Sequence, residues 1–90
     1  MYVKNTKIVN RSGLHARPAS DFVTCARKFQ SKIRIKRAGE DNEVDAKSIV
    51  MLLSLGLSLG EEVVIGAQGE DEVGAVDALI RLVDSAFGEG

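Results

Sequence analysis

The run Gly13-Leu14-His15-Ala16-Arg17-Pro18-Ala19 holds the only histidine and the only proline of the chain, with an arginine between them. Proline suits the first turn of a helix, where its missing N–H is not needed. The spacing therefore predicts His15 at or just before a helix start. There the unpaired amides and the positive end of the dipole face outward. An unprotonated ring nitrogen at such a point could accept a phosphoryl group, and the helix amides with Arg17 could hold the new oxygens. The dipole disfavours the imidazolium and keeps the neutral nucleophile available. After transfer it attracts the anion. Gly13 permits unusual backbone angles and is expected to keep the approach to the ring open. Ala16 is small and leaves room for a partner's active site. Arg17 supplies charge with no proton to lose. A lone histidine near a helix start is more often a cap or a surface residue. The weight lies in Gly, His, Arg and Pro meeting separate physical needs at one helix start.

Ser48 is the second candidate. It precedes the apolar segment 49–55, which Gly56 closes, and serine before and glycine after are helix start and stop signals. Serine is a preferred N-cap. A phosphate at that position would meet the amides of Ile49 and Val50, so capping and modification can coexist in one residue. Ile49, Val50, Met51, Leu52, Leu53 and Leu55 are too apolar for one face of a two-turn helix, so some of them must point outward as a small patch. Cys25 lies off the stripe of its helix and reads as a bystander. One cysteine and one histidine are too few for a zinc site, and no metal or cofactor is expected.

The elements that position these residues follow from periodicity. Residues 2–9 read as a strand. Over 16–29, Ala19, Phe22, Val23, Ala26 and Phe29 form one helical stripe. Residues 32–36 alternate strictly, as a half-buried strand does. A polar hairpin loop at 38–42 leads to a short strand at 43–45. Val63, Ile65 and Ala67 mark a fourth strand over 61–68. A last helix has Glu70, Asp71 and Glu72 in its first turn and a stripe of Val73, Val76, Leu79, Ile80, Val83 and Phe87. One-sided helices need a sheet to cover, and alternating strands need only one covered face. The expected architecture is an open-faced two-layer α+β sandwich with an antiparallel sheet, built as a single domain over residues 1–90.

The net charge of −1 and the scattered aromatics give no reason to expect nucleic acid. The longest apolar stretch, 49–59, is too short and too interrupted to span a bilayer. No signal-peptide core is visible at the start. The expectation is a cytoplasmic monomer without membrane contact.

The sequence resembles the HPr family, the histidine-containing phosphocarriers of the bacterial phosphoenolpyruvate-dependent sugar phosphotransferase system. The resemblance spans nearly the whole chain and rests on GLHARPAS at 13–20, KSIVMLLSLGL at 47–57 and VVIGAQGEDE at 63–72. It implies a βαββαβα sandwich with sheet order 1-4-2-3 and three helices on one face. It implies that phosphorylated enzyme I passes a phosphoryl group to Nδ1 of His15, which hands it to a sugar-specific enzyme IIA. Arg17 would pair with the phosphate, the amides of Ala16 and Arg17 would hold it, and Ser12 would belong to the same loop. Ser48 matches the regulatory serine that an HPr kinase/phosphorylase modifies in many bacteria. That modification slows transfer at His15 and promotes binding to a catabolite-control transcription regulator. The partner surface would combine the His15 loop with Ser20, Thr24 and Arg27 and with Ile49, Val50 and Leu53. Such a protein is a carrier without turnover of its own. A nitrogen-related carrier, a regulatory relative and an acylphosphatase-type enzyme are the alternatives. The serine-bearing helix speaks for the sugar system, the presence of His15 against the second, and the lack of a further phosphate loop against the third. The 38–42 loop looks longer than usual by about two residues. Leu59 stands where the family commonly has a polar residue, which predicts a larger apolar patch.

Overall fold

The computed structural model describes residues 1–89. In chain order these form β1 (Tyr2–Lys7), α1 (Ala16–Ala26), β2 (Lys32–Arg37), β3 (Val44–Asp45), α2 (Ile49–Ser54), β4 (Glu62–Gln68) and α3 (Glu72–Asp84), then a short turn, Ala86–Gly88. The strands make one antiparallel sheet in the order β1-β4-β2-β3, as the resemblance implies.

Side chains alternate across a strand, so register decides which face is covered. Ile65 lies between Lys4 and Ile35, and Ala67 between Tyr2 and Ile33. On that side Ile33, Ile35, Val44, Val63, Ile65 and Ala67 are buried. Phe22 of α1, Leu52 of α2 and Val76, Leu79 and Val83 of α3 belong to the same core. Full burial of a side chain such as Phe22 contributes about 2–3 kcal/mol. On the other side, one row runs Val3, Gly66, Arg34, Asp45, and this face carries no helix. The open-faced sandwich follows from that asymmetry.

Boundaries depart from the periodic reading where tertiary bonds take over. α1 stops at Ala26, and tighter bonds from Lys28 N to Cys25 O and from Phe29 N to Ala26 O end it before the half-buried Phe29. β1 gives out at Lys7 and not at residue 9. β3 keeps only two of its three expected residues.

The largest correction concerns α3. It begins at Glu72, so Glu70 and Asp71 precede it and do not sit in its first turn. Val73 is 50% exposed and does not belong to the buried stripe. Phe87 lies beyond the helix, in the left-handed turn that follows it, although it still packs against the core. Asp71 occupies the N-cap position without capping. Its carboxylate accepts from Gln30 N at 2.8 Å, from Ser31 N at 3.0 Å and from the Ser31 hydroxyl. The acid expected to favour a dipole instead clamps the α1–β2 loop. Among the described residues no helix is long and apolar enough to cross a membrane.

Candidate functional site

The loop before α1 is held by its backbone. Leu14 is buried, and its N–H donates to Leu57 O at 3.0 Å. Gly13 has φ +67, and a Cβ there would stand 2.5 Å from Leu57 O and 2.9 Å from Ser58 Cα. The unusual backbone angle is as expected from sequence. The glycine also lets the loop press against 57–58, where a Cβ would not fit. Asn10 is 1% exposed, and its Nδ2 donates to Gly13 O at 2.9 Å and to Ser12 Oγ at 3.3 Å. Its Oδ1 has no partner among the described residues.

On this support His15 is the N-cap of α1, extended at φ −128 and ψ 161, and exposed. Its ring makes no capping bond. Ala16, the first helical residue, has φ +49. A non-glycine residue in this left-handed region costs roughly 1–2 kcal/mol, and such strain collects at functional sites. Arg17 is exposed and forms no ion pair among the described residues, not even with Asp21 one turn on. Pro18 is buried and lies in the first turn, as its chemistry predicts. The loop thus brings Ser12, His15, Ala16 and Arg17 together. The His15 ring is reachable, and among the described residues the helix start has no side-chain cap and the Arg17 guanidinium no ion pair.

Ser48 is the N-cap of α2, and its Oγ accepts from Met51 N at 3.3 Å. The bond reaches Met51 and not the amides of Ile49 and Val50. Leu52 alone of α2 is buried, while Ile49, Val50, Met51 and Leu53 are exposed. Leu59 is 56% exposed. Ser20, Thr24 and Arg27 are exposed on α1 and line one shallow groove with Val23 and Ile49. Arg27 Nε donates to Lys47 O at 3.0 Å, which ties α1 to the entry of α2. Of the expected partner-surface residues, Ser20, Thr24, Arg27 and Ile49 meet where the two helices adjoin, and Val50 and Leu53 are exposed on α2. Behind them, Arg37 Nε donates to Glu61 Oε1 at 2.6 Å and Arg37 Nη2 to Leu55 O at 2.7 Å, fixing the exit of α2. The Arg37 hydrogen bond, with help from Ser58 N–H, holds the Glu61 carboxyl below its usual range. Cys25 is half-buried, and burial pushes its thiol up, as for an inert cysteine.

Two features of the loop escape sequence reasoning. One is the left-handed Ala16, which no residue type announces. The other is Glu89, whose Oε2 accepts from Ser12 Oγ at 2.8 Å across 77 positions of sequence. The polar, turn-forming residues Asn10, Ser12 and Gly13 do mark a structured turn.

Together these observations define a class: an open-faced α+β sandwich that presents a single histidine on an otherwise uncapped helix start. Residues 2–85 match the family described as PTS HPr component phosphorylation site. The chain is 39% identical over 90 residues to the phosphocarrier protein HPr of Cupriavidus necator, covering 100% of this chain and 99% of that one. The crystal structure of HPr-C-His from Thermoanaerobacter tengcongensis matches with a TM-score of 0.94 at 44% identity, covering 100% of this chain and 99% of that one. A crystal structure of an HPr dimer from the same organism matches at 0.78 with 45% identity, covering 99% and 100%. The chain belongs to the HPr family of phosphocarrier proteins.

Proposed function

We propose that His15 carries the phosphoryl group, taking it from phosphorylated enzyme I and passing it to sugar-specific enzyme IIA domains. The observation that carries this reading is the exposed imidazole at an N-cap whose ring caps nothing. The Nδ1 lone pair forms the new N–P bond as the bond from phosphorus to enzyme I breaks, and that bond's electron pair returns to enzyme I. The product is an anion beside the positive end of a helix. The amides of Ala16 and Arg17 and the Arg17 guanidinium, which has no other ion pair among the described residues, bind its oxygens. Ser12 contributes to the same loop. The protein turns over no substrate by itself and needs no cofactor. One chain supplies every group involved, so the reading takes a monomer as the working form, meeting its partners in the cytoplasm.

Partners of both kinds dock on the His15 loop, the Ser20–Thr24–Arg27 face and the apolar Ile49, Val50 and Leu53. Phosphorylation of Ser48 by an HPr kinase/phosphorylase would set a dianion at the edge of that apolar surface. It would weaken docking of enzyme I and create a new charge for a catabolite-control regulator to read. What supports this is the position of Ser48, half-buried beside the exposed Ile49 and Val50.

The test is incubation with phosphoenolpyruvate and enzyme I. One acid-labile, base-stable phosphate per chain is expected on His15 and none on His15→Ala. Equal labelling of the variant would end the proposal. Ser48→Asp should slow transfer from enzyme I, and unchanged kinetics would leave Ser48 a cap only.

A further inference from the structure

α3 does not simply end. After Ser85 come three left-handed residues in succession, Ala86 (φ 57), Phe87 (φ 54) and Gly88 (φ 79). They turn the chain back over the start of α1, with Gly88 N donating to Ser85 O at 3.1 Å and Glu89 N to Ala86 O at 2.8 Å. Phe87 packs against the core and anchors the turn. A cleft between this segment and α1 is lined by Arg17, Pro18, Asp21, Phe87, Gly88 and Glu89. The turn brings a carboxylate to the loop. Glu89 Oε2 accepts from Ser12 Oγ at 2.8 Å, and Glu89 Oε1 lies 3.5 Å from Asn10 Nδ2.

That amide is oversubscribed. Its two hydrogens face three acceptors, Gly13 O, Ser12 Oγ and Glu89 Oε1, and the last is the most distant. Losing Glu89 would cost Asn10 little. The carboxylate is therefore held chiefly through Ser12. It has no ion pair with Arg17 among the described residues, although both line one cleft.

We infer that Glu89 is a positioning residue that works by its charge. It occupies the Ser12 hydroxyl while His15 is free and is displaced when a phosphoryl group arrives. The inference rests on the reading of His15 as phosphoryl acceptor. A phosphoryl dianion on His15 and the Glu89 carboxylate repel one another in the same loop. Ser12 then turns its hydroxyl from carboxylate to phosphate, and the 86–89 segment swings off. The resident anion makes the loop a weaker phosphate trap, so the carried group is easier to give away. Arg17, which has no ion pair among the described residues, is left to the incoming phosphate.

The experiment compares the full chain with Glu89→Gln, which keeps size and an acceptor oxygen and removes the charge. The equilibrium constant for phosphoryl exchange with enzyme I is measured for both. Removing one charge at this range is expected to favour the phosphorylated carrier about fivefold, less at high salt. Hydrolysis of the phosphohistidine should slow in parallel. Amide 15N relaxation across 86–89 should show an ordered segment before phosphorylation and a loosened one after. Equal exchange constants, or a segment equally ordered in both states, would overturn the strap while leaving His15 as acceptor. Absence of label on His15 in both proteins would overturn the carrier reading and the strap together, and absence in Glu89→Gln alone would overturn the strap. Thermal melts of the unphosphorylated proteins separate a charge effect from a folding defect. An exchange shift that vanishes in high salt supports the strap even if Glu89→Gln melts lower. A shift indifferent to salt refutes it.

Discussion

α1 and α2 pack on the same core, and their starts are built in opposite ways. At α2 the N-cap is Ser48, whose hydroxyl takes the Met51 amide and closes the helix locally. At α1 the N-cap is His15, whose ring takes no amide, and the next residue is strained. One start is satisfied by its own side chain, and the other is left open to an external anion. An uncapped helix start forgoes roughly 1 kcal/mol that serine, aspartate or asparagine would supply. α3 also lacks a side-chain cap, so what sets the candidate site apart is the pairing of an uncapped start with an exposed imidazole.

His15 substitutions should give the largest effect. His15→Ala should abolish labelling by enzyme I while leaving stability within about 0.5 kcal/mol, because the ring caps nothing. His15→Asp should also abolish labelling yet raise stability by about 1 kcal/mol, since a carboxylate would cap and complement the dipole. Urea unfolding of the three proteins checks this. A His15→Ala protein destabilised by more than 1 kcal/mol would mean that the ring does cap, and the contrast between the two starts would collapse.

Gly13→Ala comes next and tests what holds the open start in place. The added methyl combines a left-handed backbone with a 2.5 Å approach to Leu57 O. A cost of about 3 kcal/mol is expected from strain plus overpacking. Because 57–58 follow α2, the damage should reach the start of α1 and the exit of α2. Amide exchange would then quicken at Leu14 and in the last turn of α2 together. Quickening at Leu14 alone would show that the loop is mechanically independent of α2.

Ser48→Ala should cost about 1 kcal/mol as a lost cap. Labelling of His15 should stay near wild type, since the hydroxyl serves α2 and not the loop. Unfolding curves with initial labelling rates read both. A Ser48→Ala protein that labels several-fold more slowly would make Ser48 part of the transfer surface even without phosphate.

How much of this was legible in the sequence depends on the reach of each interaction. Pro18 and the Ser48–Gly56 pair are local signals, and they placed both helix starts correctly. The alternation of 32–36 and of Val63, Ile65 and Ala67 gave the covered face directly. Sheet order came from family resemblance, since periodicity says nothing about which strands pair. Ala16 carries no sign of its left-handed angle, because alanine ordinarily avoids it. Glu89 meets Ser12 only after a turn that breaks the helical count, and the apparent stripe through Phe87 disguised that turn. Asp71 was misread for a similar reason. Its partners Gln30 and Ser31 lie about forty positions away, and a local rule about helix dipoles cannot see them.

Asp71 also supplies a third helix start, and the smallest effect expected here. It stands at the N-cap of α3 but spends its carboxylate on the α1–β2 loop. The Ser31 hydroxyl first, and then the Gln30 amide, hold its carboxyl below the usual range for aspartate. A group whose pKa is depressed by folding adds stability above the unfolded value of about 3.9 and loses it as pH falls through the folded value. The wild type should therefore lose stability on acidification through and below about pH 4, with Asp71 contributing to that slope. Asp71→Asn cannot titrate, so its acid limb should be flatter and its neutral-pH stability lower. Melting temperatures across an acid series, taken for both proteins, measure the difference. Parallel curves would show that the carboxylate is as well served by water as by Ser31. α3 would then be an ordinary exposed start, and the clamp would leave the contrast between α1 and α2 as the only one that matters for function.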